Sequence, residues 1–169
     1  NYGAHASGQY MYGHGIATIA LDFGTGCYLV GGAVRDVLKG RSSGDLDIMV
    51  EHRFSEIADA VAEQLGGTVL KVTRFGTAAL DIGAIHLDIS TARCETYEES
   101  GALPKVFPGT LEQDLARRDF TINAMAISLS RDSFGDLIDH HDGMSDLENG
   151  VVRVLHNQSF QDDATRILR

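Results

Sequence analysis

Asp45 and Asp47, with Leu46 between them, have a spacing that could do chemistry. On a β-strand, residues two apart point the same way with Cα atoms ~6.5–7 Å apart. Two carboxylates so placed can converge on a pair of divalent cations about 3.5–4 Å apart. Oxygen-only ligands suit Mg²⁺ over softer metals. Taken alone, the pair reads first as a polar strand face in water. A second group lies a dozen residues upstream, where the apolar run Tyr28-Leu29-Val30 meets Gly31-Gly32-Ala33-Val34-Arg35-Asp36. A strand that runs into two glycines and then a helix leaves unobstructed amides at the helix N-terminus, which is a phosphate seat. Arg35, on the first helical turn, adds a charge-assisted contact to a phosphate oxygen. Alone, the glycine pair also fits an ordinary turn. No G-x-G-x-x-G is present, because Gly24-Thr25-Gly26 is not followed by Gly at 29, and there is no G-x-x-x-x-G-K-[ST] loop.

The elements that must carry these residues follow from periodicity. Residues 28–30 read as a buried strand, and 33–38 as a helix stopped by Gly40. Residues 46–50 alternate, with Leu46, Ile48 and Val50 on one face and Asp47 and Met49 on the other. Phe54, Ile57, Ala58, Val61 and Leu65 make one helical stripe, which Ser55 can cap and Gly66-Gly67 can end. Strands are expected over 68–73, 77–82 and 85–90, with turns at Phe75-Gly76 and Gly83-Ala84. Residues 95–109 hold both prolines and read as a loop, and 111–129 read as helical. A Gly/Asp-rich connection leads to a strand over 151–155 and a helix beginning near Asp162, with no stop signal before Arg169. The whole is an α+β domain with one small mixed sheet flanked by helices, since the hairpin-length turns oppose a fully parallel sheet.

A glycine pair after a strand, followed by a strand with Asp-x-Asp, resembles the nucleotidyltransferase superfamily that includes DNA polymerase β. Asp88, in Ile85-His86-Leu87-Asp88-Ile89, has the setting of that superfamily's third carboxylate. Downstream, Leu115-Ala116-Arg117-Arg118-Asp119-Phe120-Thr121-Ile122-Asn123-Ala124-Met125-Ala126 resembles the second motif of the class II tRNA nucleotidyltransferase and bacterial poly(A) polymerase family. Leu103-Pro104, Pro108-Gly109-Thr110-Leu111-Glu112 and Asp114-Leu115 extend the likeness upstream. Asp163-Ala164-Thr165-Arg166-Ile167-Leu168-Arg169 resembles the opening of the family's third motif, so the likeness covers 28–169. The resemblance implies that Gly32 and Arg35 contact an incoming triphosphate and that Asp45 and Asp47 ligate Mg²⁺ as the catalytic carboxylates. It puts Arg118 on the nucleotide from the second motif, with Asp119 and Asn123 near the ribose. Asp163, Arg166 and Arg169 face the nucleotide from the third, and their i, i+3 steps put them close to one helical face. In domain terms, it implies an N-terminal arm over 1–26, a catalytic head over 27–160, and the truncated start of a helical neck over 161–169. The implied reaction is attack by an RNA 3′-hydroxyl on the α-phosphorus of ATP or CTP, with tRNA as the RNA partner. Poly(A) tailing, a small-molecule nucleotidyltransferase and a non-catalytic nucleotide sensor are the competing readings.

Composition bounds these expectations. The chain has 169 residues, 14 Lys+Arg against 24 Asp+Glu, and a net charge of -10. That balance excludes a domain that grips nucleic acid by charge alone, so bulk RNA binding is expected from the family's C-terminal helical part. Two isolated cysteines, Cys27 and Cys94, make neither a zinc site nor a disulfide scaffold, which points to a reducing compartment. With no apolar run of ~20 residues and no signal-peptide pattern, the expected location is the cytoplasm, away from membranes. Residues 1–21 carry no Lys, Arg, Asp or Glu and mix Gly, Tyr and His, as a loose or appended arm would. Asp139-His140-His141-Asp142-Gly143 stands where the family usually shows Asp-Pro and an aromatic residue; it reads as a solvated loop, not a metal site.

Overall fold

The computed structural model describes residues 7–96, 103, 105–157, 159–162 and 165–166. It begins with α1 (Ser7–Asp22), β1 (Cys27–Val30), α2 (Gly32–Leu38), β2 (Asp45–Val50) and α3 (Phe54–Leu65). The strands β3 (Thr68–Val72), β4 (Thr77–Ile82), β5 (Ile85–Thr91), β6 (Arg93–Thr96) and β7 (Lys105–Pro108) follow. The chain continues through α4 (Leu111–Ala116), β8 (Ala126–Ser128), β9 (Leu137–Ile138), α5 (Gly143–Asn149) and α6 (Ser159–Asp162). Seven strands form one sheet in the order β3-β4-β5-β2-β1-β8-β9. Only the β2–β5 pairing is parallel; every other neighbour in that sheet is antiparallel, which makes it the expected mixed sheet. β6 and β7 pair separately.

The alternation of β2 decides what each sheet face does. Leu46, Ile48 and Val50 enter the main core with Leu87 and Ile89 of β5, under α1, α2 and α3. On the other face, Met49 packs in a smaller cluster with Val30, Ala92, Leu111, Leu115 and Ala126, beneath α4. Asp47 shares Met49's face, so the carboxylates lie on the thinly covered side of the sheet. α3 buries Ile57, Ala58 and Val61 and ends as expected at Gly66, in the left-handed conformation (φ 71°). Its start differs: Arg53 takes the cap position with φ 60° and no side-chain cap, leaving Ser55 inside the first turn.

Four segments depart from expectation. Residues 7–22 are not a loose arm but the helix α1, whose Tyr12, Ile16, Ile19 and Ala20 pack into the main core. Gly15, which composition alone would count as flexible, is what admits the contact: a Cβ there would lie 3.1 Å from Leu65 Cδ2 of α3. Ile16 is fully buried, so Ile16→Ala is expected to cost ~2–5 kcal/mol in a denaturant titration; a cost near zero would mean that α1 is not part of the folded unit. The helix expected over 111–129 stops at Ala116 and gives way to a 3₁₀ turn at Thr121–Asn123 and then β8. The strand expected over 151–155 is a single bridge between Val154 and Phe120. The loop expected over 95–109 carries the paired strands β6 and β7 at its ends.

Candidate active site

Gly31 sits at the turn between β1 and α2 with φ 70° and ψ −144°, a combination that an L side chain rarely adopts. A Cβ on Gly31 would lie 3.0 Å from Arg118 Nη1 and 3.2 Å from Asp47 Oδ2. Thus the first glycine, a cation and a carboxylate meet at one point, although they come from three distant stretches of chain. Gly32 opens α2, and a Cβ there would lie 3.3 Å from Arg35 Nη2. Arg35 donates to Asn123 Oδ1 (3.0 Å) and to Asp36 Oδ1 (3.2 Å), while Asn123 donates to Asp119 Oδ1 (3.0 Å). The structure therefore brings Gly32, Arg35, Asp47, Arg118, Asp119 and Asn123 together.

The carboxylates follow from strand register. Asp45 lies opposite His86 and Asp47 opposite Asp88 in the parallel β2–β5 pair, so all four side chains share one face. Asp45 is exposed and Asp47 half-buried. Burial pushes the Asp47 carboxyl above the usual carboxylate range; Asp88 and Asp45 add to this, while Arg118 opposes it. A cation bound beside these carboxylates would offset that burial. Among the described residues, no three His, Cys, Asp or Glu side chains close into a metal cage. Two carboxylates with a third beside them nevertheless fit a hard divalent cation that completes its shell with water and substrate phosphate. His86 also pairs with Asp81 (2.8 Å) and lies 3.8 Å from Asp88 Oδ1.

Asp114, part of the stretch that extends the family likeness, carries no role that the sequence alone assigns. It is 1% exposed, accepts from Arg118 Nη2 at 2.9 Å and from Arg117 Nη2 at 3.0 Å, and also receives the Arg93 amide. Burial alone would push its carboxyl up, but the Arg118 and Arg117 guanidiniums outweigh this and hold it below the usual range. Its signal was present in the sequence as carboxylate and arginines at i, i+3 and i+4. Arg166 is 5% exposed and donates to the carbonyls of Arg117 (3.0 Å) and Ser159 (3.3 Å), tying the third motif to the second. Asp163 and Arg169 lie outside the described residues. Asp139, in the expected loop, accepts amides from Gly143 and Met144 (both 2.8 Å) and so caps α5.

A glycine-ended strand, two arginines and a carboxylate strand pair thus meet at the ends of β1 and β2, an arrangement whose chemistry could take a phosphate and a cation. Residues 27–153 match the family model described as the poly A polymerase head domain. The chain belongs to that family. It is 51% identical over 142 residues to an A-adding tRNA nucleotidyltransferase of Aquifex aeolicus, covering 84% of this chain and 17% of that protein. It is 41% identical over 142 residues to a CC-adding tRNA nucleotidyltransferase of Deinococcus radiodurans, covering 83% of this chain and 38% of that one. Among solved structures, an apo CCA-adding enzyme superposes with a TM-score of 0.86 at 45% identity, over 93% of this chain and 37% of that one. A tRNA nucleotidyltransferase with a primer tRNA and an incoming ATP analogue gives 0.80 at 45% identity, over 91% and 42%. The chain thus spans less than half the length of each of these relatives. No helix among the described residues is long and apolar enough to cross a membrane.

Proposed function

We propose that the full-length protein containing this chain is a template-independent RNA 3′-end nucleotidyltransferase, adding CMP or AMP from CTP or ATP to tRNA. The observation that carries this reading is the meeting of Gly31, Arg118 Nη1 and Asp47 Oδ2 at one point. Triphosphate, cation and attacking hydroxyl would have to converge at that same place. The α2 N-terminus and Arg35 would seat the triphosphate, and Arg118 would neutralise charge on it, so catalysis is positioning plus electrostatics. Asp45 and Asp47 would hold Mg²⁺, with Asp88 beside them. When bound, the metal would lower the pKa of the attacking 3′-hydroxyl and neutralise charge on the departing pyrophosphate. Asn123, held by Asp119, orients Arg35, and both would lie near the ribose. Asp163 and Arg169 would supply the nucleotide's other side, while Arg166, expected there too, is buried and given to the Arg117 and Ser159 carbonyls and would act by holding the Arg117–Arg118 backbone. Residues 27–160 form the catalytic head in this reading, 161–169 open a helical neck, and the protein works in the cytoplasm. With a net charge of -10 on this chain, bulk RNA binding falls to the helical segments that follow the head.

The test incubates the full-length protein and Mg²⁺ with tRNA lacking its 3′ end, with ATP and CTP separately and together. The product ends are then sequenced. Addition of A, CC or CCA is the expected result and fixes which of these the protein makes. A long A tract would reassign it to poly(A) tailing. No extension despite ATP binding would overturn the proposal in favour of a small-molecule enzyme or a nucleotide sensor.

A further inference from the structure

We propose that Asp114 is a positioning residue for nucleotide transfer: it holds the guanidinium of Arg118 at the Gly31 seat and acts on the nucleotide only through that arginine. The inference rests on the transfer reading above and assigns a role to a residue that reading leaves without one. The geometry divides the Arg118 fork in two. Nη2 is anchored on Asp114 Oδ2 at 2.9 Å, while Nη1 lies 3.0 Å from where a Gly31 Cβ would stand. One prong is therefore spent on the protein and the other is presented to the seat. Asp114 has no oxygen to spare for a ligand. Its Oδ1 accepts from Arg117 Nη2 and Nε (3.0 and 3.1 Å) and from the Arg93 amide (3.2 Å). Buried at 1% exposure, it is neither a metal ligand nor a proton acceptor for substrate.

Anchoring is needed because α4 ends at Ala116 and Arg118 lies just beyond it. A free arginine loses about 2 kcal/mol of rotamer freedom when it is fixed. Asp114 makes that ordering part of folding, so the nucleotide does not have to impose it on binding. It also lets two adjacent guanidiniums sit side by side. Arg117, on the same carboxylate, reaches Glu95 of β6 (3.0 Å), and its carbonyl receives Arg166. One buried carboxylate thereby joins the second motif to the β6–β7 pair and to the third motif.

The test is a double-mutant cycle in the full-length protein, read as ATP affinity by calorimetry, with Arg118→Ala, Asp114→Asn and the double variant. Asp114→Asn is expected to weaken ATP at least roughly tenfold, the scale of a charged hydrogen bond. The double variant should bind no worse than Arg118→Ala alone, because Asp114 has no other route to the nucleotide. Additive losses, or wild-type affinity in Asp114→Asn, would overturn the proposal. Asp114→Glu carries the same cycle if the Asn variant does not fold: it keeps the charge but displaces the anchor by one methylene, so its loss of affinity should vanish in the Arg118→Ala background, and an equal loss there would overturn the proposal. A wild-type protein that binds ATP but transfers nothing would defeat the functional reading and still leave the cycle to decide on Asp114. A wild-type protein that binds neither ATP nor CTP would defeat both, and one that binds CTP alone carries the same cycle on CTP.

Discussion

Asp47→Asn is expected to reduce nucleotide addition at least about a thousandfold, because a lost cation ligand costs several kcal/mol of transition-state stabilisation and each ~1.4 kcal/mol is a factor of ten. The same substitution should not weaken the fold. In the apo protein, burial and the neighbouring Asp88 and Asp45 raise the Asp47 carboxyl above its ordinary range, against the pull of Arg118. A carboxyl raised on folding opposes folding above its folded-state pKa. The opposition fades as pH falls through the window between the raised and the ordinary value. Asn carries no charge, so at neutral pH and without added cation the variant should melt at the wild-type temperature or above. A primer-extension assay and a melting curve, both on the full-length protein, check the two halves. Wild-type turnover would remove Asp47 from the cation site, and a marked drop in melting temperature would make its carboxylate a structural group.

Gly31→Ala is the second large effect, and it acts by a different route. The backbone at φ 70° and ψ −144° lies in a region that costs a non-glycine residue roughly 1–3 kcal/mol. The new methyl would also stand within 3.2 Å of both Arg118 Nη1 and Asp47 Oδ2. Both are ends of flexible side chains, so the protein can accommodate the methyl by moving them, which displaces the two groups that must stay in place. A displacement of about 1 Å can cost on the order of a hundredfold in rate. The variant should therefore fold with a modest loss of stability and add nucleotide on the order of a hundred times more slowly. Unaltered kinetics would show that the seat tolerates a side chain and is not where the triphosphate rests.

Much of this was legible in the sequence where a local pattern coincided with a tertiary need. α3 runs over Phe54–Leu65 because its apolar stripe and its glycine stop both serve the core. Asp45 and Asp47 stand on one strand face because alternation is a property of any strand. Reading failed where a neighbour decided the outcome. The helical pattern over 111–129 breaks after Ala116, although Asp114 pairs with Arg117 and Arg118 at the i+3 and i+4 spacings that suit a helix. Phe120 then takes an extended backbone and pairs with Val154. α1 was hidden because its glycines count against a helix in isolation, yet Gly15 is what lets α1 meet Leu65. Asp114 stood in the sequence with arginines three and four residues on, but its burial between the two guanidiniums is what gives that spacing its meaning.

The parallel pairing of β2 with β5 also governs which changes in length the domain can absorb. Asp47 faces Asp88 in that register, and a slip of one residue in either strand would turn its carboxylate to the opposite face. The connection between the two strands runs through α3, β3 and β4, outside the carboxylate register. Insertions at the turn around Arg74-Phe75 should therefore be tolerated, while deletion of one residue between Ile85 and Asp88 should disarm the site and destabilise the domain together, because it also turns Leu87 and Ile89 out of the main core. In descendants of this chain, gaps should collect in the crossover and stay out of the two strands it joins.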